Sequence, residues 1–402
     1  MPMKTITDEK LIDDVLSRGV EAVYPTKENL KNKLMSGERI KLYCGFDPTG
    51  PFLHIGHGNQ LRKMVQFQKL GHEVIFLIGD FTAMIGDPTD KAAARKQLTA
   101  KEVKCNLSGW KKQAASILDF GGANPVKIKY NSKWLGKLKF ADVLELSSKF
   151  TVQRMMERDM FEKRAAEGKP IFLHEFMYPL MQGYDSVAMD VDLEIGGNDQ
   201  TFNMLAGRDL MKEMKKKEKA VLALKLLVDP TGKKMGKTEG NMITLVDSPE
   251  DIFGKVMSWS DQMIALGFEI CTDVPMKEIE EMTKQMKEGA NPRDFKMKLA
   301  HEIVRLYKGK DDADQAQKNF ISIFQKKEEP EVVESLKVES KNLIDILVEA
   351  NLVSSNSEAK RVIREGGVKV NEQAVTDINY SLTSGTHLIQ KGKRHFIRVI
   401  IG

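Results

Sequence analysis

Cysteine is scarce in this 402-residue sequence: Cys44, Cys105 and Cys271 stand far apart. That excludes a disulfide framework and any Cys-x-x-Cys zinc site, and it fits a reduced compartment. Long apolar runs are missing as well. None exceeds Val74 to Ile78, far short of the roughly 20 residues a membrane helix needs, so no membrane association is expected. Met1 to Asp14 carries acids and lacks the apolar centre of a signal peptide, so the expected location is cytoplasmic. No period of roughly 20 to 50 residues recurs, which excludes a repeat protein. What is present is 41% hydrophobic and 30% charged, too apolar for general disorder. The length suits two to three domains of about 150 residues each.

The net charge of +5 says little, but its placement says more. From Lys341 to Gly402 nine Lys/Arg face six Asp/Glu, so most of the excess lies in the tail. A small basic terminal module fits a polyanionic partner; on charge alone, a solvated surface fits equally well.

Up to residue 247 short apolar runs alternate with longer helical patterns. The strand-like runs are Ile40 to Phe46, Glu73 to Ile78, Val126 to Tyr130, Asp190 to Ile195 and Leu224 to Val228. This alternation predicts an α/β domain with a mainly parallel sheet. At Ser248-Pro249-Glu250-Asp251 the character changes: Ser248 can cap a helix, Pro249 suits its first position, and Asp251 completes a capping-box pattern. A second helix start, Asn291-Pro292-Arg293-Asp294, leads into a stripe of Leu299, Ile303 and Leu306. Four segments are therefore expected: an α/β domain over 1–247, a helical domain over 248–325, a linker over 326–340 and a small α+β tail over 341–402. The tail reads as two short helices followed by strands, with turns at Gly366-Gly367, Ser384-Gly385 and Lys391-Gly392.

Four stretches carry chemistry. In Tyr43-Cys44-Gly45-Phe46-Asp47-Pro48-Thr49 and Leu53-His54-Ile55-Gly56-His57, a strand runs through a turn into a helix starting near His54 or Gly56. Such a helix N-terminus favours phosphate, and two histidines three apart can donate to the same ligand. Alone, His-x-x-His is equally well a pair of surface or core histidines. In Asp229 to Thr238, Lys234 and Lys237 lie among glycines, a cationic loop suited to polyphosphate. Three residues rather than four separate Gly232 from Gly236, so it is not a P-loop, and alone it reads as a solvated basic loop.

Tyr178, Gln182 and Asp185 share one helical face and offer a phenol, an amide and a carboxylate to a pocket. Pro179 requires that this helix start within about a turn upstream or kink there. The polar side of an amphipathic helix is the plainer reading. Ile195-Gly196-Gly197-Asn198-Asp199-Gln200 has the form of half a nucleotide crevice, with a simple helix cap as its competitor. The lysine-rich Lys212 to Lys219 reads as solvated slightly ahead of touching RNA.

Together these stretches resemble the class I aminoacyl-tRNA synthetases, and within them the bacterial tyrosyl branch. His54-Ile55-Gly56-His57 matches the first class signature. Lys234-Met235-Gly236-Lys237-Thr238 matches the second in a Gly/Thr form. The block Ser357 to Asn371 resembles the small RNA-binding domain, first known from a ribosomal small-subunit protein, that closes the bacterial enzymes.

The resemblance implies a Rossmann-like catalytic domain with a mainly parallel sheet, then an anticodon-reading helical domain and an RNA-binding tail. It implies ATP with Mg2+ as the substrate complex, L-tyrosine and tRNA(Tyr) as partners, a homodimer, and no protein-bound metal. Tyr43 and Asp185 would meet the substrate phenol; Asp87, Tyr178 and Gln182 its ammonium, with Thr82 lining the pocket. Cys44, Gly197 and Asp199 would meet the ribose, and Gln200 the reacting carboxylate. Gly45, Asp47 and Gly56 would lie along the nucleotide. His57 would face the nucleotide, Thr49 and His54 the terminal phosphate, and Lys234, Lys237 and Thr238 the pyrophosphate. Phe202 and Asn198 depart from the family pattern. A tryptophanyl enzyme and a non-catalytic RNA-binding relative are the competing readings; Asp185 and the basic tail disfavour the first, and the retained histidines and lysines the second.

Overall fold

A computed structural model of the chain describes residues 4–87, 98–229, 231, 242–322, 335–392 and 395–402. It divides into two units, Met1–Asp247 with Trp259–Leu299, and Ser248–Ser258 with Ala300–Gly402.

The first unit is built on a six-stranded sheet: β1 (Val20–Tyr24), β2 (Lys41–Phe46), β3 (Glu73–Ile78), β4 (Lys127–Tyr130), β5 (Leu193–Gly197) and β6 (Ala220–Leu224). Their spatial order is β1-β6-β5-β2-β3-β4. Only β1 runs antiparallel, against β6; every other pairing is parallel. Parallel strands covered on both faces need continuous apolar sequence, and β3, β5 and β6 are buried almost throughout. From β2 the chain proceeds to β3 and β4 on one side, and later returns to β5 and β6 on the other. The strand order therefore reverses between β2 and β5, the place where open α/β sheets bind ligands.

Three expectations need correction. The last strand lies at Ala220–Leu224, four residues before the expected Leu224 to Val228. Lys219, at its mouth, is fully buried rather than part of a solvated lysine run, because the carboxylate of Glu194 lies against its ammonium. The helix carrying Pro179 begins at Leu173, more than a turn upstream. Proline there removes only the bond to the Glu175 carbonyl, close to the helix start, where few bonds are lost.

That helix, Leu173–Met189, packs closely along the helix Thr201–Lys215. The approach depends on two glycines: a Cβ on Gly183 would stand 2.8 Å from Leu210 Cδ1 and 3.2 Å from the Gly207 nitrogen. Elsewhere in this unit the helix Met263–Cys271 ends on the Arg18 guanidinium. Arg18 donates to the carbonyls of Phe268 (3.0 Å), Glu269 (2.9 Å), Thr272 (2.6 Å) and Val274 (2.7 Å). The first two are last-turn carbonyls, which a helix end leaves without internal donors. Lys63 in turn donates to Val15 O (2.6 Å) and Arg18 O (2.9 Å) from a buried position.

In the second unit Ser248 caps the helix Pro249–Met257, its Oγ accepting the Asp251 N–H at 3.1 Å. Phe253 on this helix packs against Phe320, their rings 5.3 Å apart. The tail forms a second sheet from β7 (Ser335–Val338), β8 (Val368–Val370), β9 (Gln373–Val375), β10 (Gly385–Lys391) and β11 (His395–Ile401), in the order β7-β11-β10-β8-β9. β7, which sequence reading passed over, pairs parallel with β11 ahead of the helices Leu343–Glu349 and Asn356–Arg364. The tail has its own core, with Leu343, Leu347, Ile363, Val368, Ile389 and Val399 fully buried. Lys360, Arg361 and Arg364 stay exposed on the second helix.

Candidate active site

His54 is the N-cap of the helix Ile55–Lys69, the start expected from the sequence. Its Nδ1 accepts the Gly56 N–H at 3.1 Å, and His57 Nδ1 accepts the His54 N–H at 3.1 Å. The rings stack with centroids 3.8 Å apart. Because each Nδ1 is an acceptor, a neutral ring carries its proton on Nε2. Burial lowers the His54 pKa to about 4; burial, then the neighbouring His54, holds His57 well below its usual range. At neutral pH the pair is two neutral imidazoles with Nε2–H donors. Residues 243–245 lie beside them: Ile55 N–H donates to Ile243 O and Leu245 N–H to Leu53 O, each at 2.9 Å. Lys234, Lys237 and Thr238 lie outside the described residues.

Across the sheet switch stands a wall built from β2, the helix Leu173–Met189 and the segment around Asn131. Tyr43 on β2 is fully buried, its hydroxyl 2.9 Å from Ser186 Oγ and 3.4 Å from Gln182 O. Asp185, the residue before Ser186 on that helix, accepts from Trp134 Nε1 (2.7 Å) and Asn131 Nδ2 (3.2 Å). Asn131 also donates to Thr82 Oγ1 at 3.0 Å. Thr82 Oγ1 and the Tyr178 hydroxyl donate to Asp47 at 2.7 and 2.9 Å. Gly79 leaves room for this, since a Cβ there would fall 1.9 Å from Asp47 Oδ1. The wall is buried, and burial pushes the Asp185 carboxyl and the Tyr43 and Tyr178 hydroxyls well above their ordinary pKa values, although Trp134 and Asn131 partly offset the effect at Asp185. Burial likewise raises the Cys44 thiol.

A second carboxylate centre is Asp87. It accepts from Gln200 Nε2 (2.7 Å) and Arg158 (3.2 Å), while Gln200 Oε1 accepts from Asn203 (2.9 Å). Gln200 stands in the short 3-10 turn Asn198–Gln200 after β5, just before the helix Thr201–Lys215. Gly197 ends β5 where a Cβ would meet Asp199 Oδ1 at 2.5 Å, so only glycine lets the aspartate sit so close to the strand end.

The fold thus links Asp47, Thr82, Tyr178 and Asp185 through hydrogen bonds by way of Asn131, sets Tyr43 on Ser186 beside Asp185, and brings Asp87 together with Gln200. Thr49, Cys44, Gly45 and Gly56 lie on β2 or the segments following it. Sequence reasoning missed Asn131, Trp134, Arg158, Ser186, Glu194 and Lys219. None sits in a recognisable motif, and only a donor requirement at the buried Asp185 could have suggested Trp134 or Asn131.

Two family models match the chain. "tRNA synthetases class I (W and Y)" covers residues 35–325, and "Tyrosine--tRNA ligase SYY-like C-terminal domain" covers residues 323–399. The chain belongs to the class I tRNA synthetases of the tryptophan and tyrosine group. It is 45% identical to the tyrosine--tRNA ligase of Carboxydothermus hydrogenoformans, over 96% of this chain and 97% of that one. To the Mannheimia succiniciproducens enzyme of the same name it is 43% identical, over 98% and 100%. A solved mitochondrial tyrosyl-tRNA synthetase of Coccidioides posadasii, C-terminally truncated, superposes with a TM-score of 0.61 at 25% identity, over 77% of this chain and 91% of that chain. Within the class, these relatives place the chain among the tyrosine--tRNA ligases.

Proposed function

We propose that the cleft beyond the carboxyl ends of β2 and β5 joins L-tyrosine to ATP, giving tyrosyl-adenylate and pyrophosphate, and then passes tyrosine to the terminal adenosine of tRNA(Tyr). The observation that carries this reading is that Asp185 and Tyr43 are both buried and close enough for the carboxylate to raise the Tyr43 pKa, so that their oxygens can serve one ligand. A ring hydroxyl offers one proton, shared between these two acceptors. A phenylalanine ring leaves buried polar atoms unpaired, which costs about 1–3 kcal/mol per group.

The residues divide the work. Asp185 and Tyr43 hold the phenol; Asp87, Tyr178 and Gln182 hold the ammonium, with Thr82 lining the pocket. Gln200, bonded to Asp87, lies toward the substrate carboxylate. Cys44, Gly45, Asp47, Gly56, Gly197 and Asp199 flank the nucleotide, which brings Mg2+ with it. The tyrosine carboxylate oxygen attacks the α-phosphorus, a new P–O bond forms, and the bond to pyrophosphate breaks. No covalent enzyme intermediate is needed, so rate comes from placement and from charge stabilisation on the leaving group. His54 and His57 supply neutral N–H donors, and Thr49, Lys234, Lys237 and Thr238 face the departing phosphates. A ribose hydroxyl of tRNA then attacks the adenylate carbonyl carbon, and AMP leaves.

Residues 1–247 would form the catalytic domain, 248–325 the anticodon-binding domain and 341–402 an RNA-binding tail, joined through a linker over 326–340. Exposed Lys360, Arg361 and Arg364 on one short helix support the tail's assignment to the tRNA backbone. A cytoplasmic homodimer is the working form. Phe140 and Leu144, one turn apart and 76% and 55% exposed, support a self-association surface. The test is ATP–pyrophosphate exchange across the amino acids. Tyrosine alone should support it; exchange driven by tryptophan, or tRNA binding with no exchange at all, would reject the assignment.

A further inference from the structure

Behind the wall lies a buried ion pair that the reaction itself does not use. Glu194 on β5 stands directly opposite Tyr43 on β2 in the parallel register. Lys219, at the mouth of β6, reaches the same point, and Lys219, Glu194, Ser186 and Tyr43 are each no more than 1% exposed. The Lys219 ammonium donates to Glu194 Oε2, to Ser186 Oγ at 3.0 Å and to Met204 O at 3.0 Å. Three acceptors match the three N–H bonds of an ammonium. Space for it comes from Gly207, where a Cβ would fall 2.6 Å from Lys219 Nζ.

A carboxylate only accepts hydrogen bonds, and this fixes its neighbours. Ser186 Oγ, 3.3 Å from Glu194 Oε2 and already accepting from Lys219, donates its proton to Glu194. Tyr43 then donates to Ser186 and turns its oxygen lone pairs outward. Gln182 places its Nε2 on Glu194 Oε1 at 2.9 Å, so its amide oxygen faces away, free to accept from an ammonium. One carboxylate thereby orients a group proposed for each end of the substrate.

We propose that the Lys219–Glu194 pair is a positioning device for the tyrosine pocket, setting the Tyr43 hydroxyl through Ser186 and the Gln182 amide directly. This rests on the pocket reading above. Removing Lys219 leaves a carboxylate buried without its counter-charge, which then takes up a proton or draws in water, and both neighbours lose their fixed orientation.

The test is steady-state kinetics of the full chain, with Lys219→Met, Gly207→Ala and the charge-neutral pair Glu194→Gln/Lys219→Met. Gly207→Ala acts from behind the pocket, its Cβ pressing on Lys219 Nζ at 2.6 Å, Ser186 Oγ at 3.0 Å and Glu194 Oε2 at 3.3 Å. The neutral pair avoids an uncompensated buried charge and so guards against simple misfolding. Each variant should raise KM for tyrosine about 10- to 100-fold and erode tyrosine-over-phenylalanine preference, with KM for ATP within about twofold of the parent. A merely structural role would not split the two KM values. A folded neutral pair with parental tyrosine KM and parental preference would overturn the proposal. Tyr43→Phe, measured alongside, separates the two failures. If it moves tyrosine KM while the Lys219 variants do not, the positioning role alone falls; if it too is silent, the pocket reading falls with it.

Discussion

His57 accepts the backbone N–H of His54 through Nδ1 at 3.1 Å, while His54 Nδ1 accepts the N–H of Gly56 two residues on. The signature histidines are thus part of the helix cap before they are part of any chemistry. Their Nε2–H groups are what remains for a ligand.

Two consequences can be measured. With His54 lowered to about 4 and His57 lower than usual, imidazole ionisation should leave no step near pH 6.5 in the rate of adenylate formation. The unfolded chain binds more protons than the folded one between about pH 4 and 6.5, so the pair's contribution to stability is lost as pH falls through that window. His54→Ala should cost about 1 kcal/mol as a lost cap in addition to slower activation. A pH–rate profile with a single ionisation at the ordinary histidine value would contradict the neutral pair.

Asp185→Ala should raise the tyrosine requirement and erode rejection of phenylalanine. The phenol left without its buried acceptor implies about 5- to 150-fold, while Trp134 and Asn131, left without Asp185, lower stability instead. Competition between the two amino acids in adenylate formation reads this directly; unchanged discrimination would remove Asp185 from the phenol site.

How much of this was legible in the sequence follows from the same residues. Strands β2 and β3, the caps at Ser248 and Asn291, and the histidine signature could be read because each depends on neighbours in the chain. β1 and β7 were not, since the first is an antiparallel edge and the second pairs with β11 far along the chain. Lys219 misled for a related reason: its partner Glu194 lies on another strand, and without that partner a lysine beside Lys215, Lys216 and Lys217 reads as solvated. At the site, motif residues were readable and their supports were not. Trp134 and Asn131 reach Asp185 from about fifty positions away.

Replacing Lys234 and Lys237 with alanine should slow adenylate formation by roughly 100- to 1,000-fold, by analogy with lost oxyanion donors, and leave tyrosine binding nearly intact. Single-turnover rates set against equilibrium tyrosine binding make the distinction. A normal rate would show that the loop is only a solvated basic segment.

Lys63 offers a stability test away from the chemistry. Burial lowers its pKa from 10.5 to about 7. Between those values the unfolded chain holds a proton that the folded chain has released, so stability rises with pH, by about 1.4 kcal/mol per unit at most. Lys63→Met should melt lower overall, with Val15 and Arg18 carbonyls left without their donor, and its melting temperature should climb less between about pH 7.5 and 9.5 than the parent's. Parallel slopes would mean that Lys63 does not titrate there.

Truncation before Lys341 should spare adenylate formation and weaken tRNA charging, most at low salt and less as salt is raised, because the lost phosphate contacts are the ones that release counterions. The tail's separate core makes its removal tolerable for the rest of the chain. Equal charging by the truncated chain would place the tRNA contacts elsewhere.

The most direct measurement is a crystal structure with L-tyrosine and a non-hydrolysable ATP analogue bound. The account predicts the ring hydroxyl between Tyr43 and Asp185, within about 3.2 Å of both, and the triphosphate beside His54 and His57. A tyrosine bound elsewhere, or a ring whose hydroxyl meets neither side chain, would contradict it.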